Sequence, residues 1–509
     1  MRCVPACLVV WALASASPAA VAAKFEPAPC ERPADKLECG WLVVPERFAQ
    51  PDGKTLRLWV AIARATGPQA ERQPDPLVYI NGGPGVETVA RWTPAPPKEL
   101  APHWDRLRRQ RDIVYLDQRA TGRSEPSFCR ALDEDIEALA REAPDAQAYE
   151  TRFLALVERC RGLLATEGVD PTAYTAVEAA HDLESLRTAL GYRQLSLYGV
   201  SWGTTVALNY LREHPGRARA VILDSVFPTN SAFWAEQATS LGMAFEELQR
   251  ECQRDEACAA ALPPLLPAFA EARRRLDAQP VPIEGGRITG DSFAEAVWYG
   301  ATRDWAIPYL PLAIEQARLG NNEGVERFVA LMDFQSGVGR YNSWLGLATA
   351  CHDVLAGGTT AGMRAAAARY PWLVGADHDP TRVDRYCAAV NVGRAPAAYF
   401  APVESDAPVL VYAGQFDAAT PPQDALQAIR FLPRATLVNV AGGSHASFYT
   451  DECTLDIGVA FLADPSTPPS LDCLGKRPAF RVATDGFEAF LERREAAKAR
   501  RQRELAGEG

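Results

Sequence analysis

The stretch QLSLYGVSWGTTVALNYLREHP, residues 194–215, places Ser201 between Gly199 and Gly203, where two patterns meet. The residues before Ser201 form a continuous apolar run, which is typical of a strand buried on both faces. Those after it have the spacing of a helix that stops before Pro215. A serine in such a strand-turn-helix context predicts a nucleophile elbow, in which the tight turn exposes the hydroxyl. A glycine turn that merely contains a serine is the alternative.

Short apolar runs of the same kind recur along the chain and predict further strands. They are PLVYI, DIVYLD, AVILDS, APVLVYAG and ATLVNVAG, starting at residues 76, 112, 220, 407 and 435. Helical patterns lie between them, so the sequence predicts an α/β fold with a mostly parallel, doubly wound sheet. Before them, the alternating runs LECGWLVVPERF and TLRLWVAIARAT flank the turn PDGK and predict an antiparallel pair.

One interval breaks the alternation of strands and helices. Residues 230–402 have few β-branched runs and much Ala, Leu, Glu and Arg, which indicates an inserted, mainly helical cap domain. The expected division is a signal peptide at 1–23, a first part of the α/β domain at 24–229, the cap at 230–402 and a second part at 403–509. The last segment is expected to be a solvated helix with a frayed tail.

The beginning of the chain indicates export. Arg2 is followed by the short apolar run CLVVWALASA and then by small residues, which predicts a secretory signal peptide cleaved near Ala22 or Ala23. We therefore expect a secreted or periplasmic protein without a stable membrane anchor after cleavage. An N-terminal anchor that is retained is the alternative.

Composition excludes one class of partner. Of the 509 residues, 48% are hydrophobic and 23% are charged, and the net charge is -11. These proportions are ordinary for a globular protein. Because a nucleic-acid surface needs concentrated Lys and Arg, we expect no nucleic-acid partner.

The cysteines favour disulfides. Removal of the predicted signal peptide takes away Cys3 and Cys7 and leaves ten of the twelve cysteines, an even number in an exported chain. Pairing between neighbours in sequence is the expectation, although spacing cannot establish connectivity. The expected pairs are Cys30 with Cys39, Cys129 with Cys160, Cys252 with Cys258, Cys351 with Cys387, and Cys453 with Cys473. None has the spacing of a zinc site, so we expect no metal.

A serine nucleophile needs a base, and the base needs an orienting acid. Asp417, in LVYAGQFDAATPP, and His445, in VNVAGGSHASF, each follow a late predicted strand, where open α/β sheets assemble their sites. The order Ser, Asp, His is that of α/β-hydrolases. The remaining histidines lie on helices, in the predicted cap or upstream of Ser201: His103, His181, His214, His352 and His378.

The sequence NGGPG, residues 81–85, directly follows the strand PLVYI and predicts half of an oxyanion hole. Gly83 is the expected first N–H donor, with Gly82 as the alternative. The second donor is the N–H of Trp202, and the Trp202 side chain is expected to line the substrate pocket. In DQRATGRS, residues 117–124, we expect Asp117 to pair with Arg119 and hold the loop beside the site.

Together, NGGPG, DQRATGRS, GVSWGT, GQFDAATPP and GGSHAS resemble the prolyl aminopeptidase group of α/β-hydrolases, and most of all its secreted tripeptidyl aminopeptidases. The resemblance runs from about Cys30 to Cys473. It implies Ser201 as nucleophile, Asp417 as orienting acid and His445 as base. Asn81 stands where the family has histidine, and Ala120 where it usually has glycine. Thr420 matches a position that braces the acid loop.

The resemblance implies a serine exopeptidase that cuts short peptides near a free N-terminus, with no metal or organic cofactor. An anion in the cap would pair with the substrate's ammonium group, and the candidates are Asp353 and Glu236. Alternatives are a carboxylesterase or lipase, a single-residue proline aminopeptidase, and a non-catalytic binding protein of the same fold. The oligomeric state is left open.

Overall fold

The computed structural model describes residues 23–30, 37–92, 101–142, 146–231, 233–284, 286–332, 341–354, 360–371 and 380–506. The predicted signal peptide therefore lies outside the described residues, apart from Ala23. The strands are β1 Lys24–Ala28, β2 Glu38–Pro45, β3 Thr55–Ala63, β4 Leu77–Ile80, β5 Ile113–Leu116, β6 Leu195–Val200, β7 Ala218–Asp224, β8 Val281–Ile283, β9 Gly286–Ile288, β10 Val409–Gly414 and β11 Ala435–Val440.

The helices before β7 are α1 Val89–Trp92, α2 Ala101–Gln110, α3 Arg130–Glu142, α4 Ala146–Thr166, α5 Ala176–Ala189 and α6 Trp202–Glu213. Those between β7 and β10 are α7 Phe233–Arg254, α8 Glu256–Ala261, α9 Leu265–Ala278, α10 Gly290–Ala301, α11 Leu310–Leu319, α12 Asn322–Leu331, α13 Ser343–Thr349, α14 Thr360–Arg369 and α15 Pro380–Val390. Three helices follow β10: α16 Pro422–Ile429, α17 Glu452–Ala463 and α18 Phe487–Ala506.

Nine of the described strands form one sheet in the order β1-β2-β3-β5-β4-β6-β7-β10-β11. The pairs from β5 to β11 are parallel, and β1, β2 and β3 join antiparallel at one edge. The predicted α/β fold and its antiparallel opening pair are thus confirmed. Strand β1 at the edge was not predicted, because its sequence KFEPA has no clear alternation.

The central strands are buried because helices cover both faces of the sheet. Every residue of β4, β5, β6 and β10 is buried, which explains why their sequences are apolar without alternation. Strand β6 lies between β4 and β7, so the residue that follows it emerges near the middle of the sheet. That residue is Ser201.

The secondary structure described between β7 and β10 is helical apart from the hairpin β8–β9. A second apolar core within it includes Phe245, Phe269 and Phe293. The C-terminal helix α18, expected as a solvated tail, in fact begins on this core, where Phe490 stacks on Tyr309 with ring centroids 4.2 Å apart. The domain boundaries at 229/230 and 402/403 stay a prediction.

All five expected cysteine pairs are confirmed. Each pair is bonded, with Cα atoms 5.2–5.7 Å apart, inside the usual range for disulfides. Within the described ranges, no helix has the length and apolar character that crossing a bilayer requires.

Candidate active site

The turn between β6 and α6 holds Ser201 in a strained backbone conformation. Its φ is 53° and its ψ is -124°, a region that residues other than glycine rarely adopt. A Cβ atom on Gly203 would lie 2.1 Å from the carbonyl oxygen of Ile80, so only glycine lets α6 approach the end of β4 this closely. Strain of this kind is what a nucleophile elbow requires.

The loop after β4 lies directly against Ser201. A Cβ atom built on Gly82 would be 2.9 Å from the Cβ of Ser201 and 3.5 Å from its hydroxyl oxygen. The Gly82 N–H already donates to the side-chain oxygen of Asn81 at 2.9 Å. No described residue accepts from the N–H of Gly83 or of Trp202. This geometry favours Gly83 over Gly82 as the first oxyanion donor.

Asn81 organises this loop through its side chain. Its oxygen accepts from the Gly82 N–H and, at 3.1 Å, from the Tyr79 hydroxyl, while its amide donates to the Glu87 carbonyl at 2.9 Å. Asn81 is buried. Although Asn81 departs from the family's histidine, its side chain therefore shapes the turn that carries Gly83.

Asp417 and His445 are in direct contact, on the loops that follow β10 and β11. The Nδ1 atom of His445 lies 3.0 Å from both carboxylate oxygens of Asp417. Thr420 donates to the same carboxylate from its backbone N–H and its hydroxyl, each at 2.9 Å. Thr420 braces the acid loop, as the resemblance implies.

The two charges of this pair shift each other's titration. Burial alone would lower the pKa of His445, but the neighbouring Asp417 raises it above its usual value. Burial alone would raise the pKa of Asp417, but His445 and the hydrogen bonds hold it below its usual value. The arrangement keeps Asp417 ionised and stabilises an imidazolium, as a general base needs after it takes a proton.

Asp224, which ends β7, is a residue that the sequence reasoning missed. Its carboxylate accepts from the N–H groups of Ser447 at 2.8 Å and Phe448 at 3.0 Å, and from the Tyr198 hydroxyl at 3.0 Å. The adjacent Ser225 hydroxyl accepts from the Ala446 N–H at 2.8 Å. Burial raises the pKa of Asp224 to about 7. The polar pair Asp-Ser at the end of the buried run AVILDS was the available signal.

The expected pair between Asp117 and Arg119 is wrong. Arg119 forms a two-pronged ion pair with Asp182, with distances of 2.8 and 2.7 Å. Asp117 accepts instead from the backbone N–H groups of Thr88 at 2.7 Å and Val89 at 2.8 Å, and burial raises its pKa to about 6. Asp117 still braces the site loop, but through backbone hydrogen bonds rather than through arginine.

Asp353 and Glu236 are the two candidates for binding the substrate's ammonium group. The Asp353 side chain is fully buried, pairs with His352 at 2.6 Å and accepts from the N–H of Ala176, the first residue of α5. Asp353 thus caps a helix and is not open to a substrate, which corrects that expectation. Glu236 lies in α7, and its side chain is outside the described part of the structure.

Trp202 is 5% exposed, and its ring packs near Phe227, with ring centroids 6.3 Å apart. It belongs to the core rather than to an open pocket wall, so that expectation is also corrected.

The other histidines whose side chains the structure describes have different partners. His181 and His214 contact each other at 3.0 Å, and His352 pairs with its neighbour in sequence. The side chain of His103 and the whole of His378 lie outside the described residues. Among the side chains that the structure describes, no group of three or more His, Cys, Asp or Glu could hold a metal ion.

Comparison with known proteins agrees with the fold. Residues 75–259 match the α/β-hydrolase fold family, and residues 371–473 match the family described as TAP-like protein. A tripeptidyl aminopeptidase of Streptomyces lividans is 31% identical over 43% of this chain and 40% of its own length. The serine protease Hip1 of Mycobacterium tuberculosis is 30% identical over 43% of this chain and 42% of its own.

A probable proline iminopeptidase of Streptomyces coelicolor is 30% identical over 34% of this chain and 39% of its own length. The aligned regions thus span less than half the length of each of these relatives.

Proposed function

We propose that this chain, which has the α/β-hydrolase fold and is similar to tripeptidyl aminopeptidases and a proline iminopeptidase over part of their length, is a serine exopeptidase. It would hydrolyse peptide bonds near the free N-terminus of short peptides. The observation that carries the proposal is the 3.0 Å contact of His445 with Asp417. These two residues follow β11 and β10, at the same end of the parallel strands at which the strained turn after β6 presents Ser201.

In the proposed mechanism, Ser201 attacks the peptide carbonyl and His445 takes its proton through Nε2. Asp417 holds the Nδ1–H tautomer and stabilises the imidazolium. His445 then donates the proton to the leaving amine, and water repeats the sequence on the acyl-enzyme. No cofactor is needed for these steps.

The carbonyl oxygen becomes negative during attack, and the N–H groups of Gly83 and Trp202 would bind it. Trp202 directly follows Ser201, and Gly83 directly follows Gly82, the residue of this loop that lies against Ser201. Neither N–H has an acceptor among the described residues. The N-terminal end of α6 adds a favourable partial positive charge. One such donor typically contributes about 2.7–4 kcal/mol of transition-state stabilisation.

The helical segment of residues 230–402 would act as the cap that restricts access to short peptides. An anion in this segment would pair with the substrate's ammonium group; since Asp353 is buried in a helix cap, Glu236 remains the candidate of the two. The five disulfides support an oxidising compartment, so we place the mature protein outside the cytoplasm.

Four chromogenic substrates test the function. They are the anilides of proline, of Ala-Ala-Pro with a free amine and of N-acetylated Ala-Ala-Pro, together with a short-chain nitrophenyl ester. We expect the free amine to be required, and the preferred anilide to show whether one or three residues leave. Equal cleavage of free and acetylated tripeptides contradicts ammonium recognition, and cleavage of the ester alone favours an esterase.

Ser201→Ala tests the nucleophile. We expect a loss of at least about a thousandfold in kcat, because the remaining groups retain only the rate supplied by binding and the oxyanion hole. Ser466→Ala, on an exposed loop, is the matched control and should keep wild-type activity. Normal activity in Ser201→Ala would overturn the mechanism.

A further inference from the structure

Arg303 lies in the turn that follows α10. Its N–H donates to the Gly300 carbonyl at 3.1 Å, and its carbonyl accepts from the Ala306 N–H at 2.8 Å. These backbone bonds define the course of the chain at Arg303. The side chain is partly buried.

Hydrogen bonds connect this turn to the loop that carries His445. The Ser444 hydroxyl donates to the Ala301 carbonyl at 2.6 Å, and the Ser444 N–H donates to the Asp304 carboxylate. The other oxygen of Asp304 accepts from the Thr450 hydroxyl at 2.6 Å. Hydrogen bonds thus connect residues on both sides of Arg303 to residues on both sides of His445. The positive charge of Arg303 also acts to lower the pKa of His445.

The guanidinium of Arg303 has no hydrogen-bond or ion-pair partner in the described part of the chain. Asp304, its neighbour, directs its two oxygens to Ser444 and Thr450. Burial lowers the pKa of Arg303, against the opposing influence of Tyr299 and Asp304. An arginine still stays charged at neutral pH.

Two arginines that are more deeply buried than Arg303 in the described structure are paired. Arg111 bonds Asp75 at 2.6 Å, and Arg119 bonds Asp182 at 2.7 Å. A desolvated cation without a partner costs free energy. Because no described residue pairs with Arg303, its guanidinium is available to a ligand.

We propose that Arg303 binds a carboxylate on the leaving portion of the peptide substrate. The inference rests on the proposed function, since His445 gives its proton to the leaving amine and the leaving portion must therefore lie beside His445. A guanidinium matches a carboxylate with two parallel hydrogen bonds. The carboxylate has two possible sources: the C-terminus of a short leaving group, or an Asp or Glu side chain close to the cut.

Pairs of peptides that differ only in this charge test the proposal. Ala-Ala-Pro-Ala and Pro-Ala are each compared with their C-terminal amides, and Ala-Ala-Pro-Glu-amide is compared with Ala-Ala-Pro-Gln-amide. Cleavage is followed by chromatography of the products. The quantity measured is the ratio of kcat/KM within a pair, which does not depend on the fraction of active enzyme.

For wild type we expect the charged member of at least one pair to be cleaved about tenfold better or more, as a charged hydrogen bond implies. The pair that shows the ratio identifies the source of the carboxylate. Arg303→Gln should reduce the ratio to about one, and Arg303→Lys should keep part of it because lysine supplies only a point charge. Arg430→Gln removes an exposed arginine and should keep the wild-type ratio.

Ratios near one in wild type for all pairs, or a ratio that survives in Arg303→Gln, would overturn the proposal. If Arg303→Gln fails to fold, the wild-type ratios and Arg303→Lys decide. Hydrolysis of the ester without cleavage of any peptide or anilide would contradict the proposed function itself. Equal cleavage of the charged and the uncharged peptide within every pair would contradict only the role of Arg303.

Discussion

The backbone N–H of Ser201 donates a 3.0 Å hydrogen bond to the backbone carbonyl of Asp224. The carboxylate of Asp224 in turn accepts from Ser447 and Phe448, two and three residues after His445. Asp224 therefore connects the turn of the proposed nucleophile to the loop of the proposed base. Its buried carboxylate acts by positioning these two segments, without needing to touch the substrate.

Asp224→Asn should lower kcat by about tenfold to a hundredfold with little change in KM. The amide turns an N–H donor toward backbone N–H groups that need an acceptor, and an unsatisfied buried donor costs about 1–3 kcal/mol. Steady-state kinetics and thermal unfolding check this. Asp406→Asn, on an exposed loop, is the control. A rise in KM with an unchanged kcat would argue against a positioning role.

Asn81→Ala should lower kcat by about tenfold to a hundredfold. The change leaves the Gly82 N–H, the Tyr79 hydroxyl and the Glu87 carbonyl without their partner, so the turn that presents Gly83 loosens. The exposed Asn439 on β11 provides the control variant Asn439→Ala. Wild-type kcat in Asn81→Ala would show that the loop holds its shape without this side chain.

Activity should rise with pH through an apparent pKa above 6.5. The base must be neutral to accept a proton, and Asp417 raises the pKa of His445, so the inactive protonated form persists to higher pH. Asp417→Asn removes the anion and leaves the burial, which lowers the pKa. That variant should lose about 10⁴-fold in kcat and shift the rising limb of kcat/KM to lower pH. An unshifted limb would assign the titration to another group.

Gly203→Ala should destabilise the fold by at least about 1–3 kcal/mol and abolish activity. Its methyl group would meet the Ile80 carbonyl at 2.1 Å, so β4 or α6 must move. Gly162→Ala, within α4, is the matched control, because a Cβ atom there meets nothing within 4 Å. It should raise stability by up to about 1 kcal/mol. Denaturant unfolding of both variants measures the difference.

The mature protein should show no reactive thiol when it is denatured without a reductant. All ten cysteines from Cys30 to Cys473 are in disulfides, whereas Cys3 and Cys7 belong to the predicted signal peptide. Thiol titration checks that the ten cysteines are paired, and intact mass measurement checks that the segment with Cys3 and Cys7 has been removed. A reduced sample is the control. Several reactive thiols in the unreduced sample would contradict the disulfide pairing.

The sequence by itself determined the strand order along the chain, the elbow around Ser201 and the ordered candidates Asp417 and His445. These features are local: buried strands require continuous apolar runs, and a tight turn requires small residues at known offsets. The cysteine pairs were also accessible, because each pair joins neighbours in sequence.

Only the tertiary structure decided which charges meet. Asp117 looked like the partner of Arg119, but the fold brings Asp182 to that arginine across 63 residues of chain. Asp353 was a candidate substrate ligand in the sequence, but in the fold its carboxylate accepts from the N–H of the first residue of α5. Hydrogen bonds and ion pairs act over a few ångströms between segments that are distant in sequence. Residue type alone therefore does not reveal whether a carboxylate is free, and this is why Asp224 and Arg303 emerged only from the folded chain.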